Sequence, residues 1–360
     1  MSKIQNKLST FGYNMKATYH KYILNFKQAS GTSRGVLKTK ETWFIILKNN
    51  EKKGIGECGI LRGLSADDVP DYEDKLQWTC LNIHLGLETL KAELIAFPSI
   101  QFGLEMAFKS LEAETPFSLF PSQFTQNNKS IPINGLIWMG TAAFMKQQIQ
   151  DKIEAGFKCI KMKIGAIDFD TELTLLKSIR KEFSASDIEL RVDANGAFSN
   201  HEALEKLKRL SDLNLHSIEQ PIKAGQMDAM ANLCAQTPLP IALDEELIGV
   251  FETANKIKLL EYIKPQYIIL KPSFVGGWNS SQEWINHAEN NKIGWWITSA
   301  LESNVGLNAI VQWTYTLNNN LPQGLGTGGL FTNNFESPLT IKQGSLFYDY
   351  TKSWNFNLNS

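Results

Sequence analysis

The chain has 360 residues, of which 43% are hydrophobic and 20% charged, and its formal net charge is -1. This composition is typical of a globular protein with room for one large domain, or one large and one small domain. The near-neutral charge and the lack of a long basic run exclude a nucleic-acid-binding protein of the usual basic kind.

No segment has the composition of a signal peptide, a membrane span or a disulfide framework. Residues 1–16 are polar and lack an apolar core, and residues 303–335 are uncharged but interrupted by Asn, Gln, Gly and Pro. The four cysteines show no paired spacing, which excludes a typical zinc site. We therefore expect a cytoplasmic protein with neither a membrane nor a nucleic acid as its partner.

The first 125 residues are predicted to form an α+β domain. Residues 19–28 and 42–59 have the pattern of antiparallel strands, and residues 69–84 and 99–114 have helical patterns. The last part of the chain, residues 331–360, again contains short strand-like pieces. We expect this segment to return to the first domain.

Between these regions, short apolar runs recur at intervals of roughly 25–30 residues, the length of one strand–helix unit. They lie at residues 130–140, 157–165, 188–195, 215–221, 240–246, 266–273 and 294–302. Helix-like segments separate them, such as residues 141–156, which end on a glycine. With a weaker final strand near residues 323–328, this alternation predicts a parallel α/β barrel of the TIM type over residues 126–330.

Five consecutive predicted strands each carry charge on the face that points into the barrel. Side chains alternate along a strand, so placing the apolar ones against the outer helices turns the others inward. The inward charged residues are Lys161 and Lys163, Asp193, Glu219, Asp244 and Lys271. All lie towards the carboxyl ends of their strands, where barrel enzymes have their active sites.

The three carboxylates are hard oxygen ligands suited to Mg²⁺ or Mn²⁺. Such a cation would lower the pKa of nearby lysines, and Lys161 would lower the pKa of Lys163 further. A lysine of this kind is a base near neutral pH. The metal would bind a substrate carboxylate and stabilise the enediolate that forms when the α-proton leaves. A small-molecule carboxylate is therefore the expected substrate.

Each of these motifs alone has an ordinary structural explanation. A KxK pair is most often a solvated strand face, DAN and EQP occur in loops and helix caps, and buried acid–lysine pairs can be structural salt bridges. What favours an active site is that five successive strands all carry their charged residues on the same, inward-pointing face.

The order KMK (161–163), DANGA (193–197), EQP (219–221), LDE (243–245) and LKP (270–272) resembles the enolase superfamily, in its muconate-lactonizing subgroup. The resemblance implies a (β/α)₇β TIM-like barrel with an α+β capping domain. It also implies roles for the inward residues: Asp193, Glu219 and Asp244 as metal ligands, Lys163 and Lys271 as the acid–base pair, and Lys161 as the lysine that positions its neighbour.

Four further segments, residues 29–35, 133–140, 297–313 and 324–334, are similar to the o-succinylbenzoate synthase family of menaquinone biosynthesis. This resemblance implies syn-dehydration of 2-succinyl-6-hydroxy-2,4-cyclohexadiene-1-carboxylate to 2-succinylbenzoate. Lys163 would remove the α-proton and protonate the leaving hydroxyl on the same face, while Lys271 would stabilise the enediolate.

Substrate contacts are expected from the loops around the site, and each also has an ordinary explanation as loop chemistry. Hydroxyl and backbone N–H groups would bind the succinyl carboxylate, and an arginine on a loop of the first domain would pair with a carboxylate. The candidates are Asn195, Ser299, Ser303, Gly326 and Thr327 in the barrel, and Ser33 and Arg34 in the first domain.

The same lysine pair would also serve an N-succinylamino acid racemase or a dipeptide epimerase, which takes a proton from one face and returns it to the other. Residues 299–303 read SALES, without the Asp-x-Asp pair by which dipeptide epimerases of this subgroup hold a substrate amino group. The sequence leaves both this alternative and the formation of a homo-oligomer open.

Overall fold

The computed structural model describes residues 15–32, 35–49 and 52–358. The chain begins with an antiparallel three-stranded sheet of β1 (Met15–Thr32), β2 (Gly35–Asn49) and β3 (Lys52–Gly59), in that order. Three helices follow: α1 (Tyr72–Leu81), α2 (Leu87–Glu93) and α3 (Pro98–Glu112). This α+β arrangement agrees with the strand and helix patterns of the first 125 residues.

The backbone of α3 lies directly against β3 because strand glycines leave no side chain between them. A Cβ atom added to Gly56 would lie 1.8 Å from the carbonyl oxygen of Gly103, and one added to Gly54 would lie 2.1 Å from that of Ala107. Real Cβ contacts do not become this short, so both positions require glycine.

A short helix, α4 (Gln123–Gln126), and a short strand, β4 (Ser130–Pro132), lead into a parallel seven-stranded sheet. Its strands are β5 (Gly135–Ile137), β6 (Cys159–Lys163), β7 (Glu189–Asp193), β8 (Ser217–Glu219), β9 (Ile241–Leu243), β10 (Tyr267–Leu270) and β11 (Gly294–Ile297). They pair in chain order, as expected for successive strand–helix units.

Helices separate successive strands and pack on the outside of the sheet. They are α5 (Ala142–Glu154), α6 (Phe169–Glu182), α7 (Asn200–Ser211), α8 (Met227–Gln236), α9 (Thr253–Ile263), α10 (Pro272–Val275), α11 (Gly277–Asn290) and α12 (Asn304–Thr316). The N-terminus of α7 is fixed by a capping box between Ser199 and Glu202, which satisfies backbone N–H groups that the helix itself leaves unpaired.

The predicted eighth strand consists of two bridging residues. Gln323 forms a parallel bridge with Ile133 next to β5, and Gly324 forms one with Thr298 at the end of β11. These two residues therefore connect the first and last strands of the sheet and close it into a barrel.

At the amino-terminal end of the barrel the interior is filled by side chains. The guanidinium of Arg191 lies 4.2 Å from the ring centroid of Trp296, donates to the carbonyl oxygen of Pro322 and pairs with Glu189. This layer closes the barrel opposite the end that carries the predicted charged residues.

Contacts between the two regions of the chain involve both the C-terminal segment and a buried carboxylate. β12 (Leu339–Lys342) pairs with β13 (Ser345–Tyr348), which pairs with β4, and Phe356 packs on Phe44 of β2. The carboxylate of Glu105, on α3, accepts from the backbone N–H of Trp278 in the first turn of α11. Within the described ranges, no helix is both long and apolar enough to cross a membrane.

Candidate active site

The predicted charged residues meet at the carboxyl end of the barrel. The strand register pairs Lys163 directly with Asp193, and Asp193 with Glu219. The Nζ atom of Lys161 lies 3.0 Å from Oδ2 of Asp193 and also pairs with Glu219, and the Nζ atom of Lys163 lies 2.8 Å from the same Oδ2. The structure thus joins both lysines of β6 to two carboxylates.

Lys271 lies on the other side of the carboxylate group, where its amine pairs with Asp244. The two lysines that the resemblance assigns to acid–base chemistry therefore contact different carboxylates. All of these charged side chains are largely withdrawn from solvent.

Burial and mutual charge shift the pKa values of this group in opposite directions. Burial acts to lower the pKa of Lys161, but the charges of Asp193 and Glu219 outweigh it and raise that pKa. Burial acts to raise the pKa of Asp193, but Lys161 and Lys163 hold it well below its usual range. The carboxylates thus oppose the lowering of lysine pKa values that a divalent cation would cause.

The pKa of Glu219 is raised, first by burial and then by the charge of Asp193. Its Oε1 atom is buried and accepts no hydrogen bond from any residue that the structure describes. A buried carboxylate oxygen without a donor is a position that a cation would satisfy.

The donor set fits a hard divalent cation in its chemistry, since Asp193, Glu219 and Asp244 supply carboxylate oxygens from adjacent strands. Within the described part of the chain, however, no group of three His, Cys, Asp or Glu side chains is already assembled to hold a metal ion. The amines of the three lysines occupy carboxylate oxygens instead. A cation would compete with these amines for the same oxygens.

One residue in the turn after β7 and one directly after β8 hold the charged groups in place, and both have left-handed backbone conformations. Asn195, at φ 44°, accepts from Nζ of Lys163 at 2.7 Å and donates to Glu245 at 3.0 Å. Gln220, at φ 39°, accepts from the backbone N–H of Asp244 at 3.2 Å. The motifs EQP and LDE contain Gln220 and Glu245, but sequence analysis assigned neither residue a role, because their roles depend on contacts between strands.

A cavity lies over the charged group, and both parts of the chain line it. Apolar side chains of the first domain form its upper wall, and the ring centroid of Trp138, in the barrel, lies 5.9 Å from Nζ of Lys163. The upper wall consists of Val36, Leu37, Leu61 and Leu64. An apolar cavity with a few convergent polar groups is the usual form of a small-molecule site.

The structure brings some of the predicted substrate contacts to this cavity and not others. Asn195, Ser299, Gly326 and Thr327 line it. Ser303 does not line it, because its hydroxyl is buried and donates to Glu57 of β3 at 2.5 Å. Ser33 and Arg34 lie outside the described residues.

Ser299 is held by a carboxylate that sequence reasoning did not single out. Its Oγ donates to Glu302 at 2.6 Å and accepts from the backbone N–H of Leu301 at 3.0 Å and from the hydroxyl of Thr327 at 2.9 Å. Glu302 is fully buried. Within residues 299–303 (SALES), Ser299 therefore lines the cavity, whereas the carboxylate of Glu302 is buried and does not.

Comparison with known proteins places both parts of the chain in one family. A family model described as MenC, N-terminal domain, matches residues 14–111, and one described as Enolase C-terminal domain-like matches residues 144–348. An o-succinylbenzoate synthase from Desulfotalea psychrophila is 45% identical over 92% of this chain and 98% of its own length. The chain belongs to the o-succinylbenzoate synthase family of the enolase superfamily.

A further relative of this o-succinylbenzoate synthase family member has lower sequence identity to it. An L-Ala-D/L-Glu epimerase from Francisella tularensis subsp. novicida is 30% identical over 84% of this chain and 83% of its own length. The epimerase is thus less similar to this chain than the o-succinylbenzoate synthase is, so the sequence comparison favours the dehydratase over the racemase and epimerase alternative.

The solved structures confirm the predicted fold of this family member. The crystal structure of MenC from Desulfotalea psychrophila matches with a TM-score of 0.83 and 42% identity, and covers 93% of this chain and 99% of that chain. Muconate lactonizing enzyme from Pseudomonas fluorescens matches with a TM-score of 0.80 at 20% identity over 93% of this chain and 94% of that chain, which shows the fold alone. The TIM-like barrel with a capping domain is therefore established.

Proposed function

We propose that this chain is an o-succinylbenzoate synthase, a carbon–oxygen lyase that dehydrates 2-succinyl-6-hydroxy-2,4-cyclohexadiene-1-carboxylate to 2-succinylbenzoate. The observation that carries the proposal is the placement of Lys163 and Lys271 on different carboxylates of one buried group, under a cavity, in a chain of this family. The reaction belongs to menaquinone biosynthesis, and the chain would carry it out in the cytoplasm. Residues 1–125 would be the capping domain, residues 126–330 the catalytic barrel, and residues 331–360 the returning segment.

Asp193, Glu219 and Asp244 are the residues that would hold a Mg²⁺ or Mn²⁺ ion. Their oxygens match the preference of both ions, and the buried Oε1 of Glu219 lacks a donor among the described residues. When bound, the cation would supply positive charge that makes the α-proton of a substrate carboxylate more acidic.

Lys163 is the proposed base. Its Nζ atom is held by Asp193 and Asn195 at 2.8 and 2.7 Å, so the amine has a fixed position at the bottom of the cavity. As a neutral amine it would take the α-proton of the substrate. The resulting ammonium would return that proton to the leaving hydroxyl on the same face, which balances the elimination of one water molecule.

Lys271 is proposed to face the substrate from the other side. Its ammonium group, paired with Asp244, would stabilise the negative charge that develops on the substrate when the α-proton leaves. Loss of water makes the ring aromatic, so the enzyme mainly has to make the proton transfer fast.

The test is an assay of the purified protein with the cyclohexadiene substrate, with and without a chelator, beside N-succinylamino acids and dipeptides. We expect metal-dependent dehydration of the cyclohexadiene to be the fastest reaction. Turnover of only the amino acid derivatives would replace this proposal with the racemase or epimerase alternative.

A further inference from the structure

A buried carboxylate beside the proposed metal ligands is joined to the proposed base through one amide side chain. Glu245 follows Asp244 and begins a short 3₁₀ turn, Glu245–Leu247. It is 9% exposed, and its Oε1 atom accepts from Nδ2 of Asn195 at 3.0 Å. Oδ1 of the same amide accepts from Nζ of Lys163 at 2.7 Å. Glu245, Asn195 and Lys163 therefore form one continuous chain of hydrogen bonds.

The backbone around Asn195 is fixed by contacts on both sides. Its own N–H donates to Oδ1 of Asp193 at 3.0 Å, and the N–H of Gly196 donates to the carbonyl oxygen of Gln220 at 2.7 Å. A Cβ atom on Gly196 would lie 2.9 Å from Cα of Lys223, so the turn after β7 packs closely against the chain that follows β8. The main freedom left to Asn195 is a half-turn of its amide group, which exchanges the oxygen and the nitrogen.

The carboxylate of Glu245 decides which way that amide points. A carboxylate only accepts hydrogen bonds, whereas an amide donates through its nitrogen and accepts through its oxygen. The nitrogen of Asn195 must therefore face Glu245, which leaves the oxygen facing Lys163. With the amide reversed, two oxygens would face each other at Glu245, and an N–H group would face Lys163.

The orientation of this amide determines where the lone pair of a neutral Lys163 points. A neutral amine has two N–H groups and one lone pair. Oδ2 of Asp193 and Oδ1 of Asn195, at 2.8 and 2.7 Å from Nζ, accept from these two N–H groups. The lone pair is then left for the cavity, which Lys163 lines. A reversed amide would donate to the lone pair and so block the position that has to receive the α-proton.

We propose that Glu245 is a positioning residue that orients the amide of Asn195 and so directs the lone pair of Lys163 into the cavity. The inference rests on the proposed function, in which Lys163 is the base, and deepens it. It assigns a role to the acid of the LDE motif that is not one of the three proposed metal ligands. Because this role concerns proton transfer rather than substrate binding, it should affect kcat and not KM.

Glu245→Gln is the decisive variant, because it keeps the size of the side chain but can donate as well as accept. The Asn195 amide is then no longer held in one orientation. At saturating Mg²⁺ we expect kcat to fall about tenfold, with KM changed by less than about twofold.

The assay uses whichever of the candidate substrates the parent protein turns over. Lys163 takes part in proton transfer both in the dehydration and in the racemase or epimerase alternative. Failure of the proposed dehydration is therefore distinguishable from failure of this inference.

A double-mutant cycle separates positioning from a purely structural role. Asn195→Ala removes the amide through which Glu245 acts, and it should itself lower kcat about tenfold. Adding Glu245→Gln to Asn195→Ala should then cause no further loss. Losses that multiply would overturn the inference, because Glu245 would then act independently of Asn195.

Glu105→Gln is the matched control. Glu105 is also buried, at 4% exposed, but it pairs with Lys91, accepts from the backbone N–H of Trp278 and does not line the cavity. Its replacement should lower the melting temperature and leave kcat and KM unchanged.

A parental kcat in Glu245→Gln would overturn the inference. A loss seen only below saturating Mg²⁺ would also overturn it, because Glu245 would then act on metal binding. If Glu245→Gln does not fold, Asn195→Ala decides alone, since Glu245 is proposed to act only through that amide. A parental kcat in Asn195→Ala would rule the proposed role out.

Discussion

Lys163 and Asp193 are direct neighbours in the register of β6 and β7, and Nζ of the lysine lies 2.8 Å from Oδ2 of the aspartate. The same oxygen lies 3.0 Å from Nζ of Lys161. Two amines thus share one carboxylate oxygen, so either amine can be removed and Asp193 still has a positive partner.

Lys163→Ala is therefore expected to separate catalysis from folding. Loss of the proposed base should lower kcat by about 10²–10⁴-fold. The fold should persist because Lys161 still neutralises Asp193, and thermal unfolding measures this. Lys208→Ala, at an exposed lysine of α7, is the control. An active Lys163→Ala enzyme would remove Lys163 from its proposed role.

Asp193→Asn tests the proposed metal ligands. The amide is a weaker ligand than the carboxylate, so the Mg²⁺ concentration needed for half-maximal activity should rise at least about tenfold. The rise in melting temperature on adding Mg²⁺, which reports binding without turnover, should shrink in parallel. Asp212→Asn, at an exposed site, should behave as the parent does. An unaltered Mg²⁺ requirement in Asp193→Asn would exclude this residue from the ligand set.

Asp67 is expected to make stability depend on pH. It is fully buried, accepts from the backbone N–H and hydroxyl of Ser99, and burial raises its pKa from 3.8 to about 6. Between these values the folded chain keeps a proton that the unfolded chain has lost, so stability falls as the pH rises through this window.

Asp67→Asn removes that titration. Relative to the parent, its free energy of unfolding should rise by up to about 3 kcal/mol between pH 4 and pH 7, as the increase in the pKa of Asp67 from 3.8 to about 6 implies. Urea unfolding at several pH values measures the difference. A difference that stays constant over this range would contradict the shifted pKa.

Gly56→Ala should destabilise the first domain. The added methyl group would meet the carbonyl oxygen of Gly103 on α3, so the helix and the strand would have to separate. We expect a loss of about 1–3 kcal/mol in the free energy of unfolding. Gly329→Ala is the matched control, because its Cβ would have no atom within 4 Å. Equal stability of the two variants would show that this contact has no steric role.

The sequence predicted the barrel and the phase of its strands because both depend on local patterns. Alternation with a period of two identifies which side of β6 carries Lys161 and Lys163 without knowledge of any distant contact. The sequence pattern of the eighth strand was weak for an equally local reason, because among the described residues of that segment only Gln323 and Gly324 form bridges to neighbouring strands.

The hydrogen bonds between β3 and the N-terminus of α12 could not be predicted in this way. Glu57 and Ser303 are 246 residues apart in the chain and meet only because β3 lies against the N-terminus of α12. Glu57 lies in a pattern that is typical of an ordinary strand, and Glu302 lies in a segment that reads as a loop. Only the packing of the two domains shows that Ser303 faces Glu57 rather than the cavity.

The two carboxylates that cross between the domains restrict how the molecule comes apart. Glu105 and Glu57 each accept from backbone N–H groups in the first turn of a different barrel helix, α11 and α12. Pulling the domains apart would leave both helix starts without an anion and both acids without donors. The two domains should accordingly unfold together in a single cooperative thermal transition.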